Sequence, residues 1–401
     1  MNSVGIDVSK GKSTVAVLRP FGEVVSPPFD VNHTAGELQA LADSLKALPG
    51  ETYVVMEYTG RYFEPIARYL RDSGLFVSVV HAMLIHNYGK NSLRRVKTDK
   101  ADALKIAGYG LDKWASLMAY TPEDEARALL KNYNRQYNHY NKLKVMLKNN
   151  LIALLDQTFP GLNRLFSSKP RKDGHEKWVD FATAFWHCDC VGSSSERMFR
   201  ERYAKWCTRA GYNFSADKAG ILHSEARSLV ATLPRNNSAK GLVTLAVAQL
   251  NAINETLAAT HREMLGIAAQ LPEYETVMAM RGVGQVLGPQ LIAEIGDVRR
   301  FDRKQSLIAF AGIDAPPYQS GSFEAHNRRI SKRGSPALRK ALFQVMDVIL
   351  KTAPGGDPVF QYLDKKRSEG KHYYVYMMAG ANKFLRIYYA RVRESLIALK
   401  G

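Results

Sequence analysis

VGIDVSK (residues 4–10) is an apolar run that reads as a buried strand, with a carboxylate, Asp7, in its middle. YVVME (residues 53–57) is a second such run and ends on Glu57. KTDKADALKIA (residues 97–107) opens a helix that carries Asp99 and Asp102. Residues three apart on a helix share a face, so these two carboxylates point the same way. An acid inside an apolar strand is costly to bury without a partner. Two acids on strands and two on a helix can converge on hard divalent cations. Oxygen-only ligation suits Mg²⁺, with Mn²⁺ as a substitute. Mg²⁺ keeps waters and takes one or two carboxylates together with phosphate oxygens. Two such ions can clamp both oxygens of a phosphoryl displacement. Reading Asp99 and Asp102 only as helix N-terminal acids, and Glu57 as a surface strand end, leaves Asp7 unexplained.

Around these acids the N-terminal segment alternates strands and helices. VGIDVS, STVAVL and EVVS read as three strands separated by turn residues. TAGELQALADSLKAL has helical spacing with Thr34 as N-cap. TYVVME is a strand, RYFEPIARYLRDSG a helix ended by Gly74, and LFVSVVHA another strand. The order β-β-β-α-β-α-β, followed by the helix with acids, predicts an α/β domain over residues 1–120. Asp7 and Glu57 lie side by side if their strands are sheet neighbours.

A net charge of +18 over 401 residues implies a polyanionic partner, nucleic acid first. From Arg300 to the end there are 19 Lys/Arg against 8 Asp/Glu, so the excess is concentrated away from the acids. No apolar run approaches the ~18 residues of a membrane span, and MNSVGIDVSK lacks the regions of a signal peptide. Cys188, Cys190 and Cys207 form neither a disulfide framework nor a familiar zinc spacing. The expectation is a cytoplasmic, nucleoid-associated protein with no membrane partner.

Residues 89–98 (GKNSLRRVKT) are basic and poor in apolar residues. Arg94, Arg95 and Lys97 are expected to close over a phosphate backbone. Leu129, Tyr133, Tyr137, Tyr140, Leu147, Leu151 and Leu154 recur at helical spacing. So do Ala246, Leu250, Ile253, Leu257, Met264, Ala268 and Leu271. Two coiled-coil helices are therefore expected, over 121–163 and 241–272, forming an antiparallel stalk around a helical insertion at 164–240.

Residues 273–401 change character and are expected to form a mainly α domain. Gly282 and Gly284 sit in a turn between two helices that resembles a helix-hairpin-helix, whose backbone N–H groups bind phosphates. FDRKQSLIAFAGI is expected to be N-capped by Asp302. Ser320 lies at the tip of a Pro- and Gly-marked loop, followed by Arg328, Arg329, Lys332 and Arg333. A serine beside such cations can attack a phosphodiester while they stabilise the leaving oxyanion. Ser335-Pro336 reads as an N-cap with Pro at the first helical position. Arg339 follows on that helix and belongs to the same expected nucleic-acid surface. The aromatic and basic C-terminal helix suits either stacking on unpaired nucleic acid or internal packing by its tyrosines.

GIDVSK, MEYTGRY, RRVKTDKADALKIA, RGVGQVLGPQLIAEIGD and QSG…RRISKRGSPALRKAL occur in that order. Together they resemble the DEDD-type transposases of bacterial insertion sequences related to the Piv DNA invertase, bridge-RNA-guided serine recombinases. The resemblance covers about 1–160 and 240–350. It implies a RuvC-like (RNase H-like) α/β N-terminal domain whose metal tetrad falls on Asp7, Glu57, Asp99 and Asp102. It also implies a C-terminal transposase domain whose nucleophile falls on Ser320. Where members often have Gly before the Arg-Ile-Ser-Lys run, this chain has Arg328. The resemblance further implies a tetramer, a dimer of dimers, pairing one subunit's acids with another's serine. A noncoding bridge RNA pairs with donor and target double-stranded DNA, so base pairing chooses the site, as in other RNA-guided systems.

Three rival readings remain. A RuvC-class hydrolytic nuclease acting on junctions uses the same acids without Ser320. An actin-like sugar kinase needs a Gly-Thr-rich hairpin after the first Asp, where this chain has Ser9-Lys10-Gly11-Lys12. A non-catalytic RNA-binding scaffold has no use for an intact acid tetrad.

Overall fold

The computed structural model describes residues 1–88, 98–316, 319–320, 323–324 and 329–399; for Gln319, Ser320, Phe323 and Glu324 the backbone alone is described. The chain forms two compact units, Met1–Pro122 and Glu123–Gly401.

The first unit contains β1 (Asn2–Val8), β2 (Lys12–Arg19), β3 (Glu23–Asn32), α1 (Ala35–Lys46), β4 (Thr52–Glu57), α2 (Glu64–Asp72), β5 (Phe76–Val80), α3 (Ala82–Tyr88) and α4 (Asp99–Lys113). Its mixed sheet has the order β3-β2-β1-β4-β5. β1 is antiparallel to β2 and parallel to β4, and β4 is parallel to β5. This is the α/β architecture expected of the N-terminal segment. The third strand runs on to Asn32, past the expected end at Ser26 and through Pro27 and Pro28. As an edge strand it tolerates residues that cannot donate to a ladder.

β1 is central because both of its faces are covered. Val4, Ile6 and Val8 join Leu38, Leu41 and Leu45 of α1 and Ile66 and Leu70 of α2 in one apolar core. Burying each such aliphatic side chain stabilises by ~1.5–3 kcal/mol. The opposite face carries Ser3, Gly5 and Asp7, since side chains alternate along a strand. There the Ser3 hydroxyl donates to the Ala107 carbonyl at 2.7 Å. A Cβ on Gly5 would meet the Ala103 carbonyl oxygen at 2.1 Å and the Ala107 nitrogen at 2.3 Å. One on Gly110 would meet the Ser3 hydroxyl at 2.3 Å. Two glycines thus let α4 lie flush on the sheet, with Ile106 beside Val55 and Val80.

The second unit contains α5 (Glu125–Thr158), α6 (Lys177–Ala184), α7 (Asp189–Gly192), α8 (Glu196–Ala210), α9 (Ala216–Ser228), α10 (Asn237–Ala269), α11 (Tyr274–Met278), α12 (Leu287–Ile295) and α13 (Lys304–Ala311). It continues with β6 (Gln319–Ser320), β7 (Phe323–Glu324), α14 (Pro336–Thr352), α15 (Pro358–Ser368) and α16 (Tyr373–Ala398). α5 and α10 pack antiparallel, with Tyr137 against His261. One end of the pair, with Leu130, Met264 and Ala268, enters a core built with α11–α16. At the other end Leu151, Leu155, Val243 and Leu250 enter a core with Phe181, Phe199 and Trp206 of α6 and α8.

The buried stripe of α5 differs from the periodic residues of the sequence. Leu129 is exposed, whereas Arg127, Leu130 and Asn134 are buried. Arg127 ion-pairs with Glu273 at 2.5 Å and with Asp124 at 2.6 Å. Asn134 donates to the Glu294 carboxylate at 2.8 Å. Paired polar groups take core positions that a hydrophobic count assigns elsewhere. By length and composition, α10 is long and apolar enough to cross a membrane; the sequence reading expected the helix but no such span. Its apolar stripe packs into both cores.

Candidate active site

Ile6 of β1 stands opposite Met56 of β4 in parallel register. The next positions, Asp7 and Glu57, are therefore neighbours at the C-terminal ends of adjacent strands. Thr98 caps α4, its hydroxyl accepting the Ala101 N–H at 3.2 Å, and Asp99 and Asp102 occupy the first turn. Because α4 rests on β1 at Gly5, that turn reaches the end of the strand. Asp7 is pushed up to about 6, first by burial and then by the charges of Asp102, Asp99 and Glu57. Burial also raises Glu57; Lys105 opposes the shift, Asp102 adds to it, and His81 and His86 oppose it. The four predicted acids share one electrostatic field that favours a cation.

Their all-carboxylate donor set fits a hard divalent ion, which needs only one or two of them per ion. Among the described residues, the only trio of possible ligands with donor atoms within 4.8 Å of one another lies elsewhere, at His187, Cys188 and Asp189. There His187 Nδ1 accepts the Asp189 N–H at 3.1 Å, and Nε2 faces the Leu233 carbonyl at 3.1 Å. Both ring nitrogens are already used, and the three cysteines are buried and free.

Lys105, His81 and His86 were not singled out in the sequence. Lys105 follows Asp102 by three residues on α4, a spacing that places it beside the acids. His81 follows β5, whose Val80 pairs with Glu57; only the sheet order reveals that.

Arg94, Arg95, Lys97 and Arg328 lie outside the described residues. Ser320 sits in β6, its backbone opposite Phe323 of β7. The ends of that hairpin segment are tied together. Ser331 donates its hydroxyl to the Asp314 carboxylate, and its N–H to the Asp314 carbonyl at 2.8 Å. Arg329, Lys332 and Arg333 are exposed, and Lys332 has the left-handed φ of 55°. Arg339 instead donates to the carbonyls of Ala311 and Gly334 at 3.0 and 3.2 Å. It holds the base of this loop.

Gly282 is also left-handed, at φ 78°, and a Cβ there would meet Ile349 of α14 at 2.5 Å. Packing and conformation therefore account for Gly282, whereas Gly284 is exposed and meets nothing within 4 Å. Ser335 caps α14 as expected, accepting the Leu338 N–H at 3.1 Å, and donates to Glu294 at 2.9 Å. The expected Asp302 cap is absent: Arg303 occupies the N-cap position of α13 without a side-chain bond. The Asp302 carbonyl receives Tyr389 and Arg393 instead.

Two acids at the ends of sheet strands and two on the helix packed against them, in a strongly basic chain, are the arrangement of an enzyme class that works on nucleic-acid phosphodiesters. Two family models agree. One, described as a transposase of the DEDD IS110 kind, matches residues 4–160. The other, Transposase IS116/IS110/IS902 family, matches residues 274–359. An insertion element IS116 protein of Streptomyces clavuligerus is 24% identical over 98% of this chain and 94% of its own. The pilin gene-inverting protein of Moraxella lacunata is 22% identical over 86% of this chain and 80% of its own. Thermus thermophilus RuvC aligns with 30% of this chain and all of its own, at 15% identity and a TM-score of 0.24. The chain belongs to the IS110-type family of insertion-sequence transposases, which are DNA recombination enzymes.

Proposed function

We propose that the chain is the transposase of a bacterial insertion sequence, cutting and rejoining donor and target double-stranded DNA under the guidance of a noncoding bridge RNA. Asp7, Glu57, Asp99 and Asp102 hold Mg²⁺, replaceable by Mn²⁺, and Ser320 is the nucleophile. The observation that carries this reading is the convergence of the four acids: Asp7 and Glu57 end neighbouring strands, and the Asp7 carboxyl is raised to about 6, first by its burial and then by the charges of Asp102, Asp99 and Glu57. Bound cations supply charge neutralisation at the phosphate.

Ser320 Oγ forms a bond to phosphorus as the bond from phosphorus to one strand oxygen breaks. The departing oxygen takes up a proton. The phosphoserine diester retains the bond energy, so an incoming strand hydroxyl can reverse the step without ATP. Arg329, Lys332 and Arg333, together with Arg328, neutralise neighbouring phosphates. Arg94, Arg95 and Lys97 add backbone contacts beside the acids, and the Gly282–Gly284 turn offers N–H groups. Exposed Val145, Met146, Leu242 and Leu245 on the two long helices support a homo-oligomer, a tetramer built as a dimer of dimers. We further infer that the protein is cytoplasmic and nucleoid-associated.

The test supplies purified protein with donor and target DNA, with and without the noncoding RNA that flanks its gene. Recombination should require the RNA and a divalent cation, and altered guide loops should redirect it. Correct recombination by RNA-free protein would remove the guide from this reading. Strand cleavage without a protein–DNA adduct would turn it toward the hydrolytic nuclease.

A further inference from the structure

The second unit contains a groove of about 1090 Å³ walled by α14, α15, α16 and the segments on either side of the serine hairpin. We propose that it binds an unpaired stretch of nucleic-acid strand, with phosphates along its cationic side and a base against Tyr374. This rests on the reading of the chain as a nucleic-acid recombinase.

Arg329, Lys332, Lys340, Lys383 and Arg386 line the groove, and no acidic side chain does among the described residues. Such a lining selects a polyanion. Arg386 Nε donates to Asn382 at 2.8 Å, which holds the guanidinium against another residue of the groove lining. No ion pair among the described residues neutralises Lys383, Lys332 or Arg329.

The other end of the groove is aromatic. Tyr374 is 63% exposed, and its ring packs on Phe343 at a centroid distance of 6.0 Å. Tyr373 beside it is also exposed, whereas Tyr388 and Tyr389, further along α16, are buried in the core. Helical spacing puts Val375, Met378, Ala379, Asn382, Lys383 and Arg386 on one face. An apolar, ring-bearing end therefore grades into a cationic end along a single helix. A nucleotide has the same division between base and phosphate.

The volume lies just above the ~300–1,000 Å³ typical of small-ligand sites, which suits a piece of polymer. A duplex keeps its base faces inside the stack and cannot present one to Tyr374. An unpaired strand can, and base–aromatic stacking is tolerant of sequence. Ala315 and Arg329 both line the groove, so a strand seated there lies beside the two ends of the segment that carries Ser320.

The test uses full-length protein in Mg²⁺-free buffer. Short oligomers of dT and rU, and a DNA duplex, are followed by fluorescence anisotropy. A 2-aminopurine oligomer reports stacking by quenching. Tyr374→Ala should weaken unpaired oligomers about tenfold and abolish the quench, and Tyr374→Trp should keep both. Lys383→Glu with Arg386→Glu, both exposed or half-exposed, should also weaken them. It should flatten the log-log salt slope by about 1.4 and change duplex affinity less than about twofold. The dT and rU arms decide whether the strand is DNA or RNA.

Wild-type binding and quenching by Tyr374→Ala would overturn the proposal. So would equal losses for duplex and single strand, or displacement of the oligomers by polyglutamate at equal charge. Failure of the recombinase reading looks different: Tyr374-dependent quenching persists in a protein that rearranges no DNA.

Discussion

Gly5 and Ala107 approach so closely that a Cβ on Gly5 would lie 2.3 Å from the Ala107 nitrogen. Because the obstruction is backbone, a rotamer change cannot relieve it, and α4 itself must move. α4 carries Asp99 and Asp102, and β1 carries Asp7. The absence of one methyl group thus sets the distance between the two halves of the tetrad.

Gly5→Ala should therefore lower stability by ~1–3 kcal/mol, as overpacking does, and lower DNA cleavage about a hundredfold, as expected for a misplacement near 1 Å. Thermal melts and a cleavage assay at a temperature where the variant stays folded separate the two effects. Full cleavage activity in the folded variant would show that the tetrad does not need this contact.

Asp7 should make the metal-free protein pH-sensitive. Its folded-state pKa, about 6, lies above the ordinary aspartate value of 3.8. The folded state therefore binds a proton more tightly than the unfolded state, and stability falls as pH rises from about 4 through 6. At pH 7.5 Asp7→Asn should be more stable than wild type by ~1–2 kcal/mol, discounted for solvent screening, and the gap should close toward pH 4. Added Mg²⁺ should raise the melting temperature of wild type and not of Asp7→Asn. Differential scanning fluorimetry across pH, with and without Mg²⁺, measures both. A gap that widens toward low pH would contradict the assignment.

Suicide DNA substrates should trap a phosphoserine at Ser320, identified by peptide mass mapping, and Ser320→Ala should give no adduct. Ser331, which donates its hydroxyl to Asp314, is the comparison. An adduct on Ser331 or Ser322 would reassign the nucleophile.

Arg127→Ala should cost about 3–5 kcal/mol, because it leaves the buried carboxylate of Glu273, 1% exposed, without its partner. Arg127→Met with Glu273→Leu should recover most of that loss. Denaturant melts of wild type and the two variants decide. A single variant as stable as wild type would mean that the pair is not a constraint on this core.

The acids were legible because they contradict their surroundings. A carboxylate in VGIDVSK has no cheap structural explanation, and it turns the pair three apart on the following helix, which alone reads as helix N-terminal acids, into part of the same set. The caps at Thr34 and Ser335 were legible from residue type and position, whereas Thr98 was not singled out and the expected Asp302 cap did not form. The Leu129 stripe was misread because Arg127 and Asn134 occupy inward positions through partners at Glu273 and Glu294, more than a hundred residues away. Lys105, His81 and His86 became visible only once β4 was seen between β1 and β5.

By itself the sequence determined the alternation of strands and helices in the first unit, the two long helices of the second, where the carboxylates stand and where positive charge accumulates. All of these follow from residue type and short-range spacing. Tertiary structure decided that Asp7 and Glu57 end neighbouring parallel strands, that Gly5 admits α4, and that one tyrosine of α16 faces a groove while others fill the core. Those outcomes depend on contacts between segments far apart in the chain. Periodicity says that a face must be covered, and packing alone says by what.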